Sequence, residues 1–518
     1  MSFQATITRQ VVSLAALLLM PLFALRAEDK TSTASLSPPA HRGLYAIWYE
    51  RTPEVMELPY ITGGQVVLQW GDLEKAEGQY DFSLLAAEMK KRHDQNRVFT
   101  VQVNGNDKPA WLFDSVPCLP EPLSTQVKDA QGTLMYWHPV FERAYLNFLR
   151  AYAAFLKQSP YCASVLGVRQ NFNAIGTEHW HVPNDKAALS QWRVPPEAKA
   201  GESFTQALGR AYQTRVLETF VKEFAPDMRV FVRNNIEPEL RQSFAQDFST
   251  GRLCWFHTSS EMEPRSNGEK QYQAFLDDCR TGKTLAYAEP WASAWGHHGV
   301  KTDPRWCSPP QWNYWRLLCD LNCGVSFIAC YANDLEVARS GRYRYGKSRT
   351  TEVAPFKGEF DAAFRFAAKY AGYHASPQAA PGAWVALREG GTLKGDYTFL
   401  MQRLPDHTRE VKNAGPDDQR FGAWARGLPA GKTMTFRVDP RVFSKGEKRI
   451  ARIIYFDQGT GQWELRQDGQ NKLKTTNGNT GRWVEREVLI PTDGDQYEIV
   501  NTGSEEVVFH MLEIKRQP

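Results

Sequence analysis

The chain has 518 residues, 42% of them hydrophobic and 23% charged, with a formal net charge of +4. That length exceeds one ordinary core and argues for two or more domains. Charges of both signs are mixed along the chain, so there is no polyanion-binding signature and nucleic acid is not an expected partner.

Met1–Ala27 has the layout of a signal peptide: Arg9 precedes the apolar run VVSLAALLLMPLFAL, and Ala27 offers a small residue for cleavage before the polar EDKTSTAS. The run from Val11 to Leu25 is 15 residues, short of the roughly 20 that span a bilayer. Export to the bacterial periplasm or the extracellular space is expected, with no stable membrane insertion after cleavage. Removing residues 1–27 deletes Arg9 and Arg26 and no acid, so the formal charge falls from +4 to +2. A Ser/Thr/Pro-rich linker covers residues 28–40. All eight cysteines lie between Cys118 and Cys330, none in a CxxC pair, and some disulfide pairing is expected in an oxidising compartment.

From residue 41 short apolar strands alternate with helical patterns. The strands read GLYAIWYE (Gly43 to Glu50), GGQVVLQW (Gly63 to Trp70), RVFTVQVNG (Arg97 to Gly105), VLGVRQNF (Val165 to Phe172), MRVFVRNN (Met228 to Asn235), LCWFHTSS (Leu253 to Ser260), KTLAYAEP (Lys283 to Pro290) and GVSFIACY (Gly324 to Tyr331). Helix-spaced segments such as FERAYLNFLRAYAAFL and PPQWNYWRLLCDL stand between them. Eight strand-then-helix units predict an α/β fold, a (β/α)8 TIM barrel over residues 41–378. Beyond it, short and often alternating strands separated by Gly, Asp and Asn turns predict an antiparallel β-sandwich over residues 379–518.

Reactive side chains of such a barrel come from the C-terminal ends of its strands. In strand order these ends deliver Trp48; Trp70; Asn104; Glu178, His179 and Trp180; Arg233 and Asn234; His257; Glu289, Trp291 and Trp295; and Tyr331 with Asn333. Carboxylates, amides and indoles suit a carbohydrate, whose polar edges need hydrogen bonds and whose flat C–H faces stack on aromatic rings. Glycoside hydrolysis needs two carboxylates, and Glu178 with Glu289 are the expected pair, with Glu261 the rival for Glu289. His179, His181, His257, His297 and His298 follow no zinc spacing such as HExxH. No metal or other cofactor is expected; a metal-dependent hydrolase would instead require these histidines to converge. Arg342, Arg344 and Lys347 form a basic cluster that reads as a solvated loop or a contact for an anionic sugar.

A Glu after strand four and a Glu after strand seven is the arrangement of the clan A retaining glycoside hydrolases. The run QWGDLEKAEGQYDFSLL (Gln69 to Leu85) is similar to a passage in family 42 β-galactosidases, and PAWL (Pro109 to Leu112) resembles their proline-tryptophan turn after strand three. The resemblance covers about residues 41–375. It implies a secreted, β-galactosidase-like enzyme acting on oligo- or polysaccharides by double displacement. Glu178 would be the acid/base and Glu289 the nucleophile, their carboxyl groups roughly 5 to 5.5 Å apart. Burial beside Trp180 and the nearby Glu289 charge would then raise the Glu178 pKa. Two departures, Thr177 where the clan has Asn and AEPWASAWG around Glu289, point to a family distinct from family 42. The competing expectation is a non-catalytic carbohydrate-binding barrel protein. In the tail, YFDQGTGQWELRQDG resembles β-sandwich modules of bacterial polysaccharide-degrading enzymes, a likeness at the level of fold only.

Overall fold

The computed structural model describes residues 41–517, except 226, 235, 259–261, 263–276, 280–281, 291, 296–307, 346–348, 390–393 and 492. The expected signal peptide and linker lie outside the described residues, as do Trp291, Glu261, His297 and His298. No helix among the described residues is long and apolar enough to cross a membrane.

Eight parallel strands close into a barrel in chain order. They are β1 (Gly43–Ile47), β2 (Ile61–Gln69), β3 (Val98–Asn104), β4 (Val165–Arg169), β5 (Arg229–Arg233), β6 (Leu253–Thr258), β7 (Ala286–Glu289) and β8 (Phe327–Tyr331). Closure runs from Gly43 opposite Phe327 to Ile47 opposite Tyr331. Strands covered on both faces read as continuous apolar runs, which is why every one of them shows in the sequence. The barrel interior is filled by Tyr45, Ile47, Leu166, Phe231, Phe256, Tyr287 and Phe327, a cluster separate from the main core outside it.

The helices are α1 (Ser83–Asp94), α2 (Pro139–Gln158), α3 (Gln206–Glu223), α4 (Pro309–Asn322), α5 (Ala332–Ser340) and α6 (Lys357–Tyr370). Among the described residues, two connections depart from the expected strand-then-helix unit. Between β1 and β2 there is only a 3-10 turn, Pro53–Glu57, with Pro59 close behind it to stop a longer helix. Between β5 and β6 there are two short helices, Pro238–Ser243 and Ala245–Ser249.

The C-terminal region forms two antiparallel sheets. Its strands are β9 (Gly382–Ala386), β10 (Tyr397–Phe399), β11 (Met401–Arg403), β12 (Arg409–Lys412), β13 (Trp424–Leu428), β14 (Thr433–Val438), β15 (Arg449–Asp457), β16 (Gln462–Gln467), β17 (Gln470–Thr476), β18 (Arg482–Ile490), β19 (Gln496–Asn501) and β20 (Val507–Arg516). One sheet has seven strands around β20, and the other is ordered β11-β14-β19-β16-β17. The run YTFLMQRL is broken at Leu400, whose φ of 52° lies in the left-handed region, and the chain changes sheet there.

Barrel and sandwich belong to one compact unit, because α4 and α6 bury side chains against the second sheet system. Glu513 on β20 accepts from the Tyr370 hydroxyl at 2.5 Å and pairs with Lys369 and Arg452 at 2.8 and 2.9 Å. Burial pushes its carboxyl up, but Lys369 and Arg452 outweigh burial and hold it at about 2. His510 is fully buried, 3.2 Å from the Tyr314 hydroxyl, and burial pushes its imidazole down to about 3. The seven described cysteines are free thiols, six of them buried. The expected pairing is absent among the described residues, where cysteine serves as a small apolar filler.

Candidate active site

The centre of the site is a residue that ends β4. Arg169 closes the buried run VLGVR and is 6% exposed, with its guanidinium 4.1 Å from the centre of the Phe256 ring. Its Nη1 donates to Gln102 Oε1 at 3.0 Å and to both carboxylate oxygens of Glu289 at 3.2 Å. Its Nη2 lies 3.5 Å from Glu178 Oε2. Two carboxylates, one from the loop after β4 and one from the end of β7, therefore meet on one cation.

Glu289 is the last residue of β7, as expected, and is 8% exposed. Glu178 is not delivered by its strand: β4 stops at Arg169, and a buried loop carries the chain on. The loop folds back on itself through Asn173 N–H to Thr177 O at 2.8 Å and Ile175 N–H to His179 O at 3.1 Å. The hydroxyls of Tyr145 and Tyr212 donate to the carbonyls of Asn171 and Phe172 at 2.7 and 2.6 Å, fixing it to α2 and α3. At Gly176, with φ of 128°, a Cβ would stand 2.6 Å from Gln126, so only glycine permits this approach. Arg169 is thus the floor of the site and Glu178 its rim, a correction to the expectation that the strand end itself delivers Glu178.

Glu178 Oε1 accepts from Arg233 Nη1 at 2.9 Å, and the Thr177 hydroxyl lies against Oε2 and 2.6 Å from Gln126 Oε1. Burial pushes the Glu178 carboxyl up, but Arg169, Arg233 and the Thr177 hydroxyl together outweigh it and hold the group at about 2. This reverses the upward shift expected from Trp180 and Glu289. Glu289 is shifted the other way, upward, because burial and the Glu178 charge exceed the pull of Arg169 and Gln65.

Two cavities meet at this point. The inner one, about 340 Å³, lies over the barrel axis and is polar, with Glu289, Arg169, Gln102, Asn104 and Gln126 around it and Trp48 and Tyr331 at its side. The outer one, about 420 Å³, has apolar walls from Phe172, Ile175, Trp180 and Ile236. Glu178, His179 and Arg233 border both.

Of the residues expected at the site, Glu178, Glu289, Trp48, Asn104, His179 and Tyr331 gather around the inner cavity, and Trp180 lines the outer one. Trp48 is 39% exposed with φ of 56°, a left-handed turn off the end of β1 that leaves its ring at the mouth. Trp70 is a correction: it is fully buried among Phe141, Tyr145 and Phe148, with Nε1 bonded to Glu74 at 2.7 Å, so no sugar reaches it. Trp295 likewise packs on Tyr343 and Phe360 instead of the mouth, and Asn333 donates to the Arg344 carbonyl at 3.1 Å. Asn234 and His257 bond each other at 3.1 Å and line neither cavity. Trp291 lies outside the described residues.

Sequence reasoning missed Arg169, Gln102 and Gln126. A signal existed for the first two: Arg169 is a charge inside an apolar parallel strand, and Gln102 precedes Asn104 by two positions and shares its face. Gln126 comes from a loop and leaves no such trace. Among the described residues there is no group of three His, Cys, Asp or Glu side chains able to hold a metal ion.

No family model and no curated protein matches the chain. Solved structures give partial likenesses. The C-terminal CBM6 of LamC, a marine laminarinase from Zobellia galactanivorans, is 12% identical, with 22% of this chain and 99% of that chain covered at a TM-score of 0.18. The CBM36-1 domain of a multidomain xylanase from the hindgut metagenome of Trinervitermes trinervoides is 17% identical over 23% of this chain and 92% of that one, at a TM-score of 0.18. The CBM22-1–GH10 modules of Clostridium thermocellum endo-1,4-β-D-xylanase 10B are 11% identical, covering 23% of this chain and 26% of that chain, again at 0.18.

Proposed function

We propose that the chain is a glycoside hydrolase of oligo- or polysaccharides, with Glu178 and Glu289 as its two working carboxylates. The observation that carries this reading is their meeting on Arg169 at the C-terminal mouth of the barrel, with their proton affinities driven in opposite directions. Such a split is how an enzyme keeps one carboxylate ionised and the other protonated at one pH. The surrounding amides of Gln102, Asn104 and Gln126 suit sugar hydroxyls, and the exposed indole of Trp48 suits a ring face. We read the pair as that of a retaining, double-displacement enzyme, whose carboxyl groups stand about 5–5.5 Å apart.

The opposite directions of the two shifts favour Glu178 as the nucleophile and Glu289 as the proton donor, which exchanges the roles implied by the resemblance to clan A. One observation favours the original assignment: Glu178 stands on the partition between the two cavities, where the oxygen linking two sugar rings would lie, whereas Glu289 borders only the inner one. In either case Arg169 holds the pair in register and the bond between ring and leaving oxygen breaks as a carboxylate attacks the anomeric carbon.

The test is activity of the chain from residue 28 on aryl β-glycosides and on galactans, beside Glu178→Ala and Glu289→Ala. Wild-type release with loss in both variants supports the pair. With azide, the nucleophile variant yields a glycosyl azide of inverted configuration and the acid/base variant one of retained configuration. Unimpaired variants refute the assignment of both residues, and binding without turnover by the wild type supports the non-catalytic reading instead.

A further inference from the structure

The outer cavity borders Glu178 but not Glu289, and the lining beyond Glu178 has a chemistry of its own. Gln170 follows Arg169 directly, is 2% exposed, and has its backbone N–H bonded to Phe231 O at 2.9 Å. Its side chain lines the outer cavity, where the buried Nε2 finds no acceptor in the protein. An amide left unpaired in this way is costly, and it marks a place where a bound group completes the bonding. Gln213, also 2% exposed, lines the same cavity from α3.

A further wall of the cavity is apolar and held in place. Trp180 has its carbonyl bonded to the Tyr136 hydroxyl at 2.7 Å, and its ring lies so close to Gly209 that a Cβ there would stand 2.8 Å from the indole. A fixed indole and buried amides lining one cavity offer what a sugar ring needs, a flat apolar surface and hydrogen bonds. The two carboxylates that border the cavity, Glu178 and Glu237, are matched by Arg233 at 2.9 Å and Arg210 at 3.6 Å. Among the described lining residues these carboxylates are therefore paired, and what the cavity offers a ligand is amides and an indole.

We infer that the outer cavity binds the sugar residue adjoining the one held at Glu289, so that the substrate is a neutral glycan of at least two rings, recognised by Gln170 and the Trp180 indole. This rests on the glycosidase reading above and adds to it the class of substrate and its specificity-determining residues. The scissile oxygen would then lie at the partition, within reach of Glu178.

The experiment compares β-galactosyl fluoride, whose leaving group is a single atom, with β-1,4-galactotetraose, using wild type, Trp180→Ala and Gln170→Met. Expected in both variants is a loss of kcat/KM on the tetrasaccharide at least tenfold greater than the loss on the fluoride. Equal losses on both probes, or none on either, overturn the inference. Residual turnover of the fluoride also shows that both variants are folded. If wild type hydrolyses neither probe, the glycosidase reading fails separately, and calorimetry with galactotetraose decides the cavity. Binding that is lost in Trp180→Ala sustains it as a sugar site, and absence of binding by wild type overturns it.

Discussion

Replacing Arg233 by Gln tests which carboxylate carries the proton. Arg233 Nη1 is 2.9 Å from Glu178 Oε1, and the Glu178 side chain is only 11% exposed, so solvent screens the pair poorly. An opposite charge at this distance lowers a carboxyl pKa by about 1–3 units, or about 1.4–4 kcal/mol of preference for the ionised form. Its removal leaves Arg169 at 3.5 Å and the Thr177 hydroxyl in place. Glu178 is therefore expected to rise from about 2 to about 3–5. The assay is kcat/KM against pH on an aryl β-glycoside, whose limbs report the essential groups of the free enzyme. If Glu178 is the ionised nucleophile, the acid limb moves to higher pH; if it is the proton donor, the basic limb does. A profile in which neither limb moves refutes the argument that this guanidinium sets the charge of Glu178.

His510 predicts a pH-dependent stability. Its folded pKa of about 3 lies below the ordinary 6.5, so the unfolded chain binds a proton the native state does not, and stability is lost as pH falls from 6.5 toward 3. At pH 5 the cost is about 2 kcal/mol, and His510→Leu should flatten thermal melts between pH 7 and 5; an unchanged slope counts against the linkage. Trp70→Ala should lower stability by about 3–5 kcal/mol in denaturant unfolding. A stable variant with weakened substrate binding alone would contradict its place in the core.

The eight barrel strands could be read from the sequence because a strand buried on both faces must be apolar throughout. Glu289 was legible as the residue on which such a strand ends. Residues whose role depends on contacts beyond their own strand were not. Trp48 and Trp70 both follow an apolar strand, yet a left-handed turn leaves one at the mouth, while α2 closes over the other. Leu400 looks like the middle of a strand and is a corner between sheets.

By itself the sequence determined the strand order, the barrel, the sandwich behind it and the two glutamates, since each follows from local pattern and chain order. Only the tertiary structure decided the direction in which each carboxyl is shifted. Arg169, Arg233 and Thr177 reach Glu178 from the end of one strand, the end of the next and a folded-back loop, and their sum against burial depends on distances that no spacing along the chain encodes. The same holds for the outer cavity, whose amide and indole stand ten residues apart in the chain and line one cavity only because the loop between them folds back on itself.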